Sequence, residues 1–362
     1  MPSLVYLSRN DGTDMRISKE CRSLAAMGFD VTFVGWEWLN VGEARPDPMP
    51  EIRKRVYRSR PGQSKARALP GFVAFARRVL REVRPDAIHA VNEELGGLAM
   101  PFKGRAFFVV DIFDSVVLVA SGPGLKHRAI RRAALAVQKS ADALIVTDEP
   151  RRERLGRFAA KAHVVPNYPV DPGPELAATT LPASPVRLLV AGSLGAGRGL
   201  EPCLALAERR DDVQIVAAGW AYDDLARDFL AHPRVEAHGL VTPAEALVLS
   251  AGCHAIMALY EPMNENNKMA SPNKIYDALC VGREVVINAE TGVSAWVAEQ
   301  QTGRVVPYGD LDALSDAVDA LPTEPAAFSA TAARLRELFE RGFSWSVAER
   351  ALRGVYAPLL DA

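Results

Sequence analysis

The pattern that most restricts this chain is an alternation, met twice, of short β-like apolar runs with helical stretches. Parallel strands need long crossovers, usually helices, so the alternation reads as parallel α/β sheets. In the first half the predicted strands are Leu4–Ser8, Val31–Gly35, Ala87–Val91, Phe107–Ile112, Ala143–Thr147 and His163–Val165. A helix is expected from about Asp14 to Met27, with Ile17, Cys21, Leu24 and Met27 on one buried face and Gly28 closing it. Residues 166–185 hold six prolines and few large apolar side chains, which marks a linker. Beyond it the predicted strands are Val186–Ala191, Val213–Ala218, Val235–Ala237, His254–Ala258, Glu284–Asn288 and Gly303–Val305. Helices are expected at about Gly199–Arg210, Pro272–Val281, Leu311–Leu321, Ala326–Gly342 and Ser346–Leu359. Two doubly wound units in succession place a ligand cleft between their strand C-terminal ends.

Composition narrows the function classes. The 362 residues exceed what one core usually serves, which agrees with two domains. No apolar run approaches the roughly 20 residues that span a bilayer. The start, Met1-Pro2-Ser3-Leu4-Val5-Tyr6-Leu7, lacks a basic stretch and a cleavage site, and reads as a first strand rather than a signal peptide. Cys21, Cys203, Cys253 and Cys280 are scattered, which argues against a zinc site or a disulfide framework and fits a reducing cytoplasm. The net charge of -1 hides an asymmetry: residues 1–170 carry 28 Lys and Arg against 18 Asp and Glu. The excess sits in Arg53, Lys54, Arg55, Arg58, Arg60, Lys65 and Arg67, then Arg77, Arg78, Arg81 and Arg84. Such a half attracts anionic substrates or surfaces, and solvated helix faces are the plainer reading. Nucleic acid is disfavoured, because no zinc finger, RNP or helix-turn-helix signature occurs.

Two motifs carry chemistry. In Gly192-Ser193-Leu194-Gly195-Ala196-Gly197-Arg198-Gly199 a strand runs into a glycine-rich turn that opens a helix. Glycines permit close backbone approach, the free N–H groups of a helix start bind phosphate, and Arg198 adds a fork able to grip two phosphate oxygens. By itself such a turn also serves packing alone. In Ser271-Pro272-Asn273-Lys274-Ile275-Tyr276-Asp277 a capping Ser and a first-position Pro open a helix. Lys274 is unfavourable in a first helical turn, and a bound anion there would account for it. Asp277, three residues on, shares its face and is suited to a ribose diol. On spacing alone a capped helix with exposed Lys and Asp is the better reading.

The segment from Ser271 to Ile287, SPNKIYDALCVGREVVI, resembles the donor-binding helix and following strand of GT-B glycosyltransferases, in particular the retaining group called glycosyltransferase family four. Asp14-Met15-Arg16-Ile17 with Leu24, Gly28 and Asp30-Val31-Thr32 resembles that family's first helix and second strand. Ala141 to Thr147, followed by Val164-Val165-Pro166-Asn167, resembles the end of its acceptor domain. Ser193, Gly197, Arg198 and Gly199 resemble its phosphate loop, and Ser344-Trp345 the start of its terminal helix.

The resemblance implies two Rossmann-like doubly wound domains facing a central cleft. An acceptor domain would cover 1–168, a Pro-rich linker 169–183 and a donor domain 184–342, with a helix at 343–362 returning to the first domain. Ser193, Gly197, Arg198, Gly199, Pro272, Asn273, Lys274 and Asp277 would bind the donor, a nucleoside diphosphate sugar of UDP or GDP type. Arg198 and Lys274 would neutralise its diphosphate, Asp277 would contact the ribose, and the loop Tyr260–Ala270 would wrap the sugar. Catalysis would be stabilisation of the departing nucleoside diphosphate by cations and backbone N–H groups, with retention and without a metal or other cofactor. One departure stands out. The family often places a Glu eight residues before the Asp277 position, where this chain has Met269, with Glu261 and Glu265 out of register.

On the acceptor side, Asp111 and Asp114 end a strand and by resemblance face the cleft, where either would orient or deprotonate the acceptor hydroxyl. Helix capping is the plainer role. Arg9, Asn10, Asp11 and Gly12 follow the first strand, and the first two are candidate acceptor or phosphate contacts. Asp310-Leu311-Asp312 spells a metal-binding tripeptide of another fold, but its place before a helix fits capping better. His89 reads as a satisfied core histidine. Base choice belongs to loops around Gly219–Tyr222 and Gly239–Thr242. The expected activity is transfer of a sugar to a hydroxyl of a glycan, lipid-linked or small-molecule acceptor in glycan, polysaccharide or glycolipid biosynthesis. The expected location is cytoplasmic, extending to a peripheral position on an anionic inner membrane face. The alternatives are a non-catalytic nucleotide-sugar-binding subunit and a nucleotide-sugar epimerase. A dinucleotide dehydrogenase is disfavoured, because neither half opens with a clean G-x-G-x-x-G.

Overall fold

The structure is a computed structural model that describes residues 1–37, 47–60, 62–113, 124–268 and 272–360. It divides into two compact units, one of residues Met1–Asn167 with Ala348–Ala362, the other Tyr168–Val347.

The first unit is a seven-stranded parallel sheet in the order β3-β2-β1-β4-β5-β6-β7. Its strands are β1 (Ser3–Leu7), β2 (Asp30–Glu37), β3 (Arg53–Arg58), β4 (Ala87–Val91), β5 (Phe107–Asp111), β6 (Ala143–Val146) and β7 (Ala162–Val164). The central strands are buried except at half-buried Ser3 and Phe107, which start β1 and β5, as expected of a sheet covered on both faces. The helix Met15–Ala26 begins where Asp14 accepts from the N–H groups of Arg16 and Ile17. β3 corrects the sequence reading. The basic run at Arg53 is not a helix face but an edge strand paired with β2. Its charges meet carboxylates: Arg53 with Asp30, Lys54 with Asp47, Arg55 with Glu82 and Arg58 with Glu37. Charged side chains of this kind protect an edge from pairing with another chain.

The second unit is a six-stranded parallel sheet in the order β10-β9-β8-β11-β12-β13. Its strands are β8 (Val186–Leu194), β9 (Val213–Ala221), β10 (Val235–Ala237), β11 (Ala255–Ala258), β12 (Glu284–Asn288) and β13 (Gly303–Val306). Leu188, Val190, Ile215, Ala217, Met257 and Val286 form one core face, and Leu189, Val216, Ile256, Val285 and Ile287 the other. Helices Asp224–Ala231, Pro243–Ala251 and Ser294–Glu299, short and with mixed patterning, were not evident in the sequence.

The Pro-rich stretch is packed onto the second unit. Buried Arg283 donates to the carbonyl oxygens of Ala177, Thr179, Ala251, Val281 and Gly282. His254 Nε2 lies 3.1 Å from the Pro182 carbonyl, and Arg336 grips both oxygens of Asp171. The C-terminal helix, Trp345–Leu360, passes into the first unit, where Leu352, Val355 and Tyr356 are buried.

Candidate functional site

In each sheet the strand order reverses once, between β1 and β4 and between β8 and β11. Ligands of doubly wound folds bind beyond the strand C-termini at this reversal. In the second unit the glycine-rich turn leaves β8, and Tyr260 follows β11. Gly192, Gly197 and Gly199 all have positive φ, which an L side chain resists. A Cβ on Gly199 would also lie 2.4 Å from Leu259 Cβ. The turn is tied from outside: Tyr222 Oη donates to the Ala196 carbonyl, and Asp223 accepts from Ala196 N–H, both at 2.8 Å.

Two cations meet over one ring. The Arg198 guanidinium lies 5.1 Å and Lys274 Nζ 5.7 Å from the centre of Tyr260. Lys274 Nζ also donates to the Met257 carbonyl at 3.3 Å. Among the described residues no carboxylate forms an ion pair with either cation. Tyr260 is fixed in turn, its N–H donating to Asn288 Oδ1 at 2.7 Å, while Asn288 donates to Glu290. The loop after Tyr260 folds back on the turn through Glu261 N–H to the Gly197 carbonyl, 3.1 Å. Asn267 Nδ2 then holds the Glu261 carbonyl at 2.8 Å.

Of the donor-side residues named from sequence, Ser193, Gly197, Arg198 and Gly199 lie on this turn, and Lys274 beside it, its Cε 3.9 Å from where a Gly192 Cβ would stand. Asp277 is half-buried in the first turn of the helix Lys274–Cys280, Pro272 is buried and Asn273 exposed. Asn273 has helical φ and ψ and makes no side-chain cap, and Ser271 lies outside the described residues.

The first unit departs from expectation. Asp111 is fully buried, and both its oxygens accept from Arg16 Nη2, at 3.1 and 3.2 Å. It is a core ion-pair partner, which corrects its reading as a base facing an acceptor: Arg16 and His89 hold it inside. Asp114 lies outside the described residues. Around Asp111 stand Glu20, which accepts from Tyr6 Oη at 2.6 Å and lies 2.9 Å from Arg16 Nε, and His89, whose Nδ1 is 2.8 Å from Tyr356 Oη. His89 Nε2 is 3.5 Å from an oxygen of each carboxylate. Two carboxylates share one guanidinium, so one of them keeps a proton. Burial pushes Glu20 up to about 8 against the pull of Arg16, while Arg16 and His89 hold Asp111 below its ordinary value despite burial. Burial lowers His89, so its imidazole is neutral.

The loop after β1 serves its own folding. Asn10 Oδ1 accepts from Gly12 and Asp14 N–H, and Asp11 accepts from the Thr13 N–H and hydroxyl. Gly12 has φ of +98°, and Arg9 pairs with Glu94. Asn10 and Asp11 are thus turn residues here, and Arg9 is half-exposed at the strand ends. Asp310 caps its helix by accepting from Ala313 N–H, and Asp312 meets Arg209.

Glu20, Tyr356 and Asn92 were not evident in the sequence. Asn92 sits at a positive φ of 62° after β4 and accepts from Phe113 N–H at 2.8 Å. Arg16 and Glu20 did carry a signal: charges four apart on the face that holds Ile17, Cys21 and Leu24 are core charges and must be paired.

Residues 11–168 match the family model described as Glycosyl transferase 4-like domain, and residues 187–324 that of Glycosyl transferases group 1. Among solved structures the chain is similar to sucrose-phosphate synthase from Thermosynechococcus elongatus, with a TM-score of 0.74, 17% identity and 100% of each chain covered. It is similar to HepE of Anabaena in complex with UDP and glucose, with a TM-score of 0.69, 13% identity, and 99% of this chain and 100% of that one covered. A third is WaaG, a glycosyltransferase involved in lipopolysaccharide biosynthesis, with a TM-score of 0.64, 14% identity, and 97% and 99% covered. A search of curated protein sequences gave no match.

Proposed function

The chain belongs to the glycosyltransferases, of GT-B fold, with a 4-like first domain and a group 1 second domain, and from that premise we propose that Arg198 and Lys274 hold the diphosphate of a nucleotide-sugar donor. The observation that carries this reading is their convergence over Tyr260, uncompensated by any described carboxylate, at the reversal point of the second sheet. Both cations sit where negative charge grows as the glycosidic bond to the β-phosphate breaks. They stabilise the departing diphosphate without a metal, and that phosphate takes the acceptor proton, giving retention. No described carboxylate of the first unit is assigned as base, since Asp111 is spent in the core.

UDP-sugars are the first donors to test, because HepE was solved with UDP and glucose. The acceptor is a glycan or lipid-linked hydroxyl, which an anionic first half favours least and a basic one most. Lys126, Arg128, Arg131 and Arg132 are exposed on the helix Leu125–Ser140, and Leu125 at its start is 83% exposed. Arg67, Arg77, Arg78 and Arg81 are exposed on the helix Lys65–Val83. Such faces suit an anionic membrane surface on the cytoplasmic side. No helix among the described residues is long and apolar enough to cross a membrane.

The test is a melting panel with UDP, GDP, ADP and dTDP, without and with Mg²⁺, followed by turnover of the matching nucleotide sugar. A shift by one diphosphate without metal, and its release from the sugar in the presence of acceptor, is the expected result. No shift by any diphosphate sinks the donor site. The burial of Asp111 favours a second reading, a non-catalytic nucleotide-sugar binder, which predicts the shift without turnover. Sedimentation with anionic vesicles at low salt tests the membrane surface, and equal partition to neutral vesicles counts against it.

A further inference from the structure

We propose that Asn288 is a positioning residue for the donor phosphates, acting by setting Tyr260 beneath Arg198 and Lys274, an assignment that rests on the donor-site reading above. Asn288 ends β12 and is fully buried, as are the other four residues of that strand. A buried amide costs stability unless its hydrogen bonds are met. β11 stays in register with β12 as far as Ala258 beside Ile287, and Tyr260 lies beyond the end of that ladder. Its N–H finds Asn288 Oδ1 instead, at 2.7 Å. One residue on, Glu261 N–H reaches the Gly197 carbonyl at 3.1 Å. Tyr260 is thus held at its own amide by the end of β12 and at the next amide by the glycine turn. Its ring is the one that lies under both cations, so a shift of this peptide would move the support of two charges at once.

Glu290 fixes which way the amide faces. Asn288 Nδ2 donates to its Oε2 at 2.8 Å, and the Tyr308 N–H, from the chain beyond β13, donates to its Oε1 at 3.2 Å. Turned over, the amide would set its NH2 group against the Tyr260 N–H and its oxygen against a carboxylate. Only one orientation serves both neighbours, and it is the one that holds Tyr260. A leucine at 288 would suit a buried strand, so the amide serves the loop that follows β11 rather than the sheet.

The test is calorimetry with UDP, GDP, ADP and dTDP, after melting curves, on wild type and four variants. These are Asn288→Leu, the exchange of Asn288→Asp with Glu290→Gln, Tyr260→Leu, and Tyr260→Leu with Asn288→Leu. Leucine at 288 keeps the size and the charge and removes the acceptor. The diphosphate that wild type prefers should then bind about tenfold more weakly, a coupling usual within one hydrogen-bonded network. The exchange keeps the net charge and every hydrogen bond, since the new carboxylate accepts from Tyr260 and the new amide donates to it while accepting from Tyr308. Its affinity should match wild type. On the Tyr260→Leu background Asn288→Leu should cost no further affinity, because its effect passes through the ring. Wild-type affinity in Asn288→Leu overturns the assignment and leaves the donor site standing. A second, undiminished loss on the Tyr260→Leu background also overturns it, because Asn288 then acts on the fold alone. Should Asn288→Leu not fold, the exchange decides: wild-type affinity upholds the assignment, and a tenfold loss in a protein that melts like wild type overturns it. A wild-type protein that binds none of the four diphosphates overturns the donor-site reading itself.

Discussion

Arg16 places one guanidinium nitrogen between the two oxygens of Asp111, 3.1 and 3.2 Å away, inside the core of the first unit. The pair joins the first helix to the end of β5, and Arg16 Nη1 also holds the Val165 carbonyl at 2.8 Å, where the chain leaves β7. A buried ion pair adds little net stability over apolar packing, but half of one is costly.

Asp111→Ala should therefore destabilise the first unit by about 3–5 kcal/mol, the cost of stranding a buried charge. The double variant Arg16→Met with Asp111→Leu should recover much of the loss. Urea unfolding checks both. A single variant that loses under 1 kcal/mol would show that the pair does not hold the core as described.

Glu20 gives a pH dependence with a defined sign. Its folded pKa, near 8, exceeds its ordinary 4.5, so between these values the folded chain binds the proton and the unfolded one does not. Stability from this group is full below 4.5 and falls as pH rises toward 8. Buried neutral His89 acts oppositely, but only below its ordinary 6.5. From pH 6.5 to 8 wild type should lose stability, by about 2 kcal/mol at the one-proton limit, and Glu20→Gln should stay level. Melting curves across that interval decide it, and parallel curves would refute a protonated Glu20.

Arg198→Ala and Lys274→Ala should each weaken nucleoside diphosphate binding by about 1–3 kcal/mol, as for lost charge-assisted hydrogen bonds. Neither cation has a carboxylate partner to strand among the described residues, so folding should survive both changes. Calorimetry that finds both variants binding like wild type would remove the proposed donor site.

Arg283→Met should destabilise the second unit by about 3 kcal/mol or more, because five carbonyl oxygens lose one charged donor. Burial lowers this guanidinium to about 10, so it stays charged at neutral pH, held by peptide dipoles and by the Phe328 ring 4.6 Å away. Limited proteolysis should then cut the 170–185 stretch, which Arg283 pins at Ala177 and Thr179. Resistance equal to wild type would count against that pinning.

The sequence by itself determined the alternation of strands and helices, the two parallel sheets and the glycine turn with Arg198, because these depend on local periodicity and on backbone demands that only glycine meets. It also placed Lys274 at a helix start where a cation is out of place. What only the tertiary structure decided depends on partners distant in the chain. Asp111 reads as exposed until Arg16, 95 residues earlier, is folded against it. His89 is satisfied by Tyr356, 267 residues later. β3 is a strand because β2 offers it an edge, and the prolines after Val165 are held by Arg283, which no spacing announces. Arg198 and Lys274 meet over one ring because β11 lies beside β8 and brings Tyr260 under both.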